Sequence, residues 1–109
     1  MEESFENVGK IKKDKYMTEI RRDIPLSKIQ FINHMTACDE VQNALGAPFG
    51  FEAFIQGEDG NRIETNAFLY DLEGSEVLAI IYSDSGNVMG AWIRNAETGD
   101  KEMMVEISD

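Results

Sequence analysis

Cysteine and histidine occur once each in these 109 residues, and proline only twice. One cysteine closes no internal disulfide, and a chain of this length buries enough core to fold without one. A single histidine and a single cysteine fall short of the nitrogen and sulfur ligand sets of structural zinc sites. Long apolar runs are also missing. The longest is Val77-Leu78-Ala79-Ile80-Ile81-Tyr82, far below the ~20 residues that a membrane-spanning helix needs. The opening Met1-Glu2-Glu3-Ser4 has neither the basic nor the apolar region of a secretory signal. These absences lead to the expectation of a cytoplasmic protein, without disulfides and without a membrane partner.

Positive charge is scarce, with 10 lysines and arginines against 21 aspartates and glutamates and a net charge of −11. The imbalance is not spread evenly. Residues 1–25 hold equal numbers of acids and bases, so the whole excess falls in residues 26–109, whose only cations are Lys28, Arg62, Arg94 and Lys101. Binding to nucleic acid rests on cations neutralising phosphates, so direct nucleic-acid binding is not expected. An acidic surface steers toward a protein partner with a basic surface instead. The same excess also serves plain solubility.

What is present is a pattern of elements. Residues 1–23 form a mixed-charge arm or helix, with Phe5, Val8, Ile11, Tyr16, Met17 and Ile20 partly on one helical face and four lysines in 10–15. A single domain is expected over 24–109. Asp23-Ile24-Pro25 reads as a helix start, with Asp23 or Ser27 as cap. Ile29, Ile32, Met35 and Cys38 then recur at three-residue steps beside Phe31. The spacing predicts one helix over 26–45, with a bend near Asp39, ending at Gly46 and barred from continuing by Pro48.

After Pro48 the period changes to two. Phe49, Phe51, Ala53 and Ile55 share one face, and Glu58-Asp59-Gly60-Asn61 is strong turn chemistry. A long strand is expected over 62–72, with Ile63, Thr65, Ala67 and Leu69 on one side and Phe68, Tyr70 and Leu72 on the other. The central strand 77–82 follows, then 88–93, then a half-exposed last strand through Met103, Val105 and Ile107. Short connections make neighbours antiparallel. The expected fold is therefore α+β: a helix packed on an antiparallel sheet of about five strands in meander order.

Catalytic chemistry is hard to assemble from these residues. His34 and Cys38 are four apart and would share a helical face, but no further histidine or cysteine completes a triad or a metal set. Each glycine stands alone, unlike a phosphate loop, and the acidic turns lack the spacing of a calcium loop. Expected catalytic, metal and cofactor residues are therefore none, and the protein is expected not to be an enzyme. Candidate partner-binding residues are the acids Glu52, Glu58, Asp59, Glu64, Asp71, Glu73, Glu76 and Asp84, with Glu97, Asp100, Glu102 and Glu106 beside them. Phe54 and Tyr70 are added because one helix cannot cover both faces of the sheet.

Asp39-Glu40-Val41-Gln42-Asn43-Ala44-Leu45-Gly46-Ala47-Pro48, the strand Ala67-Phe68-Leu69-Tyr70-Asp71-Leu72-Glu73-Gly74, the central run and the lone Trp92 come in an order that resembles the cytochrome oxidase assembly factor one family, over about residues 25–107. That resemblance implies a translocase-subunit-like α+β fold and no catalytic residues. The acidic five-stranded half also looks like a phage inhibitor of uracil-DNA glycosylase, which presents DNA-like negative charge to a basic groove. Two functions are thus expected of the residues: a non-catalytic inhibitor or immunity-type protein masking a basic, nucleic-acid-acting site on a partner, or an assembly module that binds through an apolar sheet face.

Overall fold

The computed structural model describes residues 19–107. The helical face read from Phe5 to Met17 and the lysine cluster at 10–15 lie outside them. Five strands form one sheet in the order β1 (Gly50–Gln56), β2 (Ile63–Leu72), β3 (Glu76–Tyr82), β4 (Val88–Asn95) and β5 (Lys101–Val105). Every neighbouring pair is antiparallel, as the short connections require. The last strand begins two residues ahead of Met103 and ends at Val105, leaving Ile107 beyond it.

The helical segment differs from the sequence reading. No helix runs from 26 to 45. A 3-10 turn spans Leu26–Ile29, and the only α-helix among the described residues, α1, spans Cys38–Leu45. Pro25 precedes the 3-10 turn without a side-chain cap, and Asp23 takes a left-handed φ of 51° instead of capping. Side chains compete with the helix between the two pieces. The Met35 N–H donates to Asn33 Oδ1 at 2.7 Å, and the Asn33 N–H donates to Thr36 Oγ1 at 2.9 Å. Such local bonds give the backbone an alternative to helical pairing. At the start of α1 the Ala37 N–H donates to Glu40 Oε1 at 2.9 Å, the backward half of a capping box. Gly46, at φ 85°, ends the helix and donates its N–H to Gln42 O.

The two faces of the sheet hold separate buried clusters. On one, Tyr70, Leu72, Leu78, Ile80, Ala91 and Val105 join Ile24, Ile29, Ile32, Val41 and Leu45 from the preceding segment. On the other, Ala67, Leu69, Ala79, Ile81 and Trp92 pack with Phe54, Val77, Met89 and Ile107. The chain ahead of β1 is tied to the sheet. Ile24 lies beside Leu72, exchanging backbone hydrogen bonds with Asp71 and Glu73, and Ile20 bridges Gly46 and Ala47. The β3–β4 turn is clamped to the segment before α1, with Cys38 N–H donating to Gly86 O and Val88 N–H to Thr36 O, both at 2.9 Å.

Gly57 closes the β1–β2 hairpin at φ 97°, and a Cβ there would run into the Asn61 carbonyl oxygen. Gly57→Ala combines left-handed strain with a backbone clash, so a loss of about 1–3 kcal/mol in urea unfolding is expected. A loss below about 0.5 kcal/mol would mean that the hairpin has another conformation of equal energy.

Candidate functional site

The meander sorts the acidic residues into two ends of the sheet. Turns 57–62 and 83–87 share one end, and turns 73–75 and 96–100 share the other. At the first end stand Glu58, Asp59, Glu64, Asp84 and Glu106. Arg62 Nε lies 2.8 Å from Glu64 Oε2, and its NH1 lies 3.7 Å from Asp59. At the second end stand Asp71, Glu73, Glu76, Glu97, Asp100 and Glu102. Arg22 lies 3.8 Å from Asp71 there. Glu52 belongs to neither end. Its carboxylate accepts two hydrogen bonds from Arg94, at 2.8 and 3.3 Å, linking β1 to β4 across the two intervening strands. Both side chains are partly exposed, so Arg94→Met is expected to cost under about 1 kcal/mol in urea unfolding, and a larger loss would show an apolar role for the arginine stem.

At the second end the two turns are fastened to each other. Ser75 Oγ donates to Glu97 Oε2 at 3.2 Å, and the Ala96 N–H donates to Ser75 O at 2.9 Å, so the two turns are joined. Asn95 Oδ1 accepts from the Glu97 and Thr98 N–H groups at 2.9 and 2.8 Å. The Leu26 N–H donates to Glu73 Oε2 at 2.9 Å. Glu76, Asp100 and Glu102 converge on a groove of about 310 Å³, shared with Lys101. Carboxylates brought together on strand ends and a turn that is already hydrogen-bonded need little further ordering to bind a cation.

The apolar candidates require correction. Tyr70 is 1% exposed and lies in the cluster with Val41 and Leu45, so it is a core residue rather than a contact residue. Phe68 and Leu72 belong to that same face. Phe54 is half-buried on the opposite face, its ring 5.1 Å from that of Trp92. The exposed large apolar side chains are others, among them Phe51 at 66% and Ile55 at 57%, both on β1. Alternation alone places these two on one face. Only the position of β1 at the sheet edge shows that the helical segment does not reach them.

His34 and Cys38 do not form a pair along one helix, since His34 precedes α1. His34 Nε2 lies 2.7 Å from the Glu106 carbonyl oxygen. Cys38 instead neighbours two tyrosines. Burial pushes its thiol pKa up, opposed by the nearby Tyr82 hydroxyl. Burial likewise raises Tyr70 to about 12, and raises Tyr82 with a further push from Tyr70. Among the described residues, neither tyrosine hydroxyl closes a well-formed hydrogen bond. A thiol held protonated by burial is a poor nucleophile. No group of three or more potential metal ligands occurs among the described residues, and none of their helices is long and apolar enough to cross a membrane. No family model, no curated protein and no solved structure matches this chain.

Proposed function

We propose that the domain is a non-catalytic protein-binding module of inhibitor or immunity type, and that it engages a basic surface of its partner through the sheet end formed by turns 73–75 and 96–100. The observation that supports this reading is the convergence of Glu76, Asp100 and Glu102 on one groove, beside two turns fastened to each other through Ser75 and Glu97. A lysine or arginine of the partner seated there meets several carboxylates at once. The surrounding negative field raises the association rate. Glu52 lies outside this groove and is already engaged by Arg94.

The opposite end supplies the control, because it carries a comparable acidic excess. Binding of a deca-arginine peptide is measured at low and physiological salt for two charge-reversed variants. Glu76→Lys with Asp100→Lys and Glu102→Lys is expected to weaken binding by at least about tenfold, while Glu58→Lys with Asp59→Lys and Asp84→Lys changes it by less than about threefold. Equal losses from both variants would show a diffuse charge effect with no site, and would overturn the proposal.

A further inference from the structure

We propose that β1 is a self-association edge, at which two copies of this chain pair their first strands antiparallel about Ala53 to continue the sheet across a two-fold axis. Among the described residues β1 and β5 are the outer strands of the sheet, the positions at which a meander leaves a row of backbone groups unpaired. Here the two edges differ. β5 carries Lys101 and Glu102, and its register with β4 shifts at Ala91/Trp92. Charges and irregularities of this kind are the usual protection of an edge. β1 has neither proline nor lysine, and its register with β2 is continuous from Gly50 to Gln56. Its only charge, Glu52, is held by Arg94.

The residues of β1 suit their own reversed copy. Pairing about Ala53 sets Phe51 of one chain opposite Ile55 of the other, twice by symmetry. These two are among the most exposed large apolar side chains of the described residues. Aromatic and β-branched residues placed opposite each other are favourable cross-strand pairs. On the other face the pairing sets Glu52 opposite Phe54. The result is an isologous contact, closed after two copies.

Charge selects the same arrangement. Continued past the strand, this register sets Glu58 opposite Pro48 and Asp59 opposite Ala47. Ala47 donates its N–H to Glu19 O and adjoins Ile20, so the acidic hairpin tip of one copy arrives at the Glu19–Arg22 corner of the other. Arg21 and Arg22 stand there, Arg22 over the Phe49 ring at 6.0 Å. Glu19 and Asp23 flank them in sequence and leave the corner near neutral in a strongly acidic domain. The tip thus meets two arginines rather than another acidic rim. The contact joins the first end of one copy to the corner beside Asp71, at the second end of the other.

The full chain is examined by sedimentation equilibrium up to about 0.5 mM, with Phe51→Lys and Ile55→Lys as variants. The unaltered protein is expected at twice the 12.3 kDa of one chain. Both variants are expected at the single-chain mass with unchanged far-ultraviolet circular dichroism. A second arm does not depend on the folding of the lysine variants: Ala53→Cys in a Cys38→Ser background. Paired strands hold opposite Cα atoms about 4.5–5.5 Å apart, within disulfide range, so oxidation is expected to give a cross-linked dimer in high yield. An unaltered chain that stays at 12.3 kDa, a dimer that persists in both lysine variants, or an Ala53→Cys chain that forms no cross-link would each overturn the proposal.

Discussion

Replacing Trp92 by alanine is expected to destabilise the domain by about 3–5 kcal/mol, read as a lowered urea midpoint at unchanged slope. The ring is 4% exposed, packs against Phe54, and shares its cluster with Ala67, Leu69, Ala79 and Ile81. Its register partner on β3 is the small Ala79, and its partner on β5 is the exposed Met103. Ala67 and Ala79 make room for the ring on this face, and Met103 and Phe54 are the adjacent side chains that could move into the space it would leave. How far they collapse into it sets where in that range the loss falls. Phe51→Ala is the matched control, since Phe51 is two-thirds exposed, and it is expected to cost less than about 1 kcal/mol when measured in the monomer. A Trp92→Ala loss below about 1 kcal/mol would place the indole at the surface. Among the described residues the indole N–H has no hydrogen-bond partner. Trp92→Phe should therefore recover much of the loss, because it removes an unsatisfied donor along with part of the ring.

The strands are legible in the sequence because two independent signals agree at each of them. Alternation names the faces of β2 correctly, and Gly-containing polar turns mark the strand ends. The helix is not legible, because its apparent support is a single ambiguous signal. Ile29, Ile32, Met35 and Cys38 recur at steps of three, which an α-helix and a chain of short turns satisfy equally. Met35 is 83% exposed, so the stripe is not continuous. Asn33 and Thr36, whose side chains capture the local backbone, are the residues that break the helix. The misassigned surface follows from the same ambiguity. A single long helix would cover one whole face and leave Phe68, Tyr70 and Leu72 surplus. The actual segment, a 3-10 turn and an eight-residue helix, shares a buried cluster with those residues instead. It leaves uncovered the edge strand that carries Phe51 and Ile55. The acidic candidates are legible as a set, but composition cannot say which carboxylates meet. That depends on the meander placing turns 73–75 and 96–100 at one end.

Alkaline pH should unfold this domain earlier than its acidic composition suggests, and Tyr70→Phe should remove part of that sensitivity. An unfolded tyrosine gives up its proton near 10.0, whereas Tyr70 in the fold holds it to about 12. Between those values the native state binds more protons than the unfolded state, so stability falls as pH rises. Below about pH 10 this linkage is silent, and by about pH 12 it has lowered stability by roughly 2–3 kcal/mol for a shift of this size. Tyr82 and Cys38 are raised in the same direction by burial and share the sign. Three neighbouring groups thus hold their protons together, and each ionisation makes the next harder. At pH 7 the hydroxyl of Tyr70 contributes little, because among the described residues it makes no hydrogen bond and is nevertheless buried. Tyr70→Phe is accordingly expected to change stability by less than about 1 kcal/mol at neutral pH, in either direction. It should also flatten the decline between about pH 10 and 12 relative to the unaltered chain. Urea unfolding at about pH 7, 9, 10 and 11 measures both. A loss of several kcal/mol at neutral pH would reveal a hydrogen bond on Tyr70 that the fold does not show. An alkaline limb unchanged by the substitution would mean that Tyr70 ionises no later in the native state than in the unfolded chain.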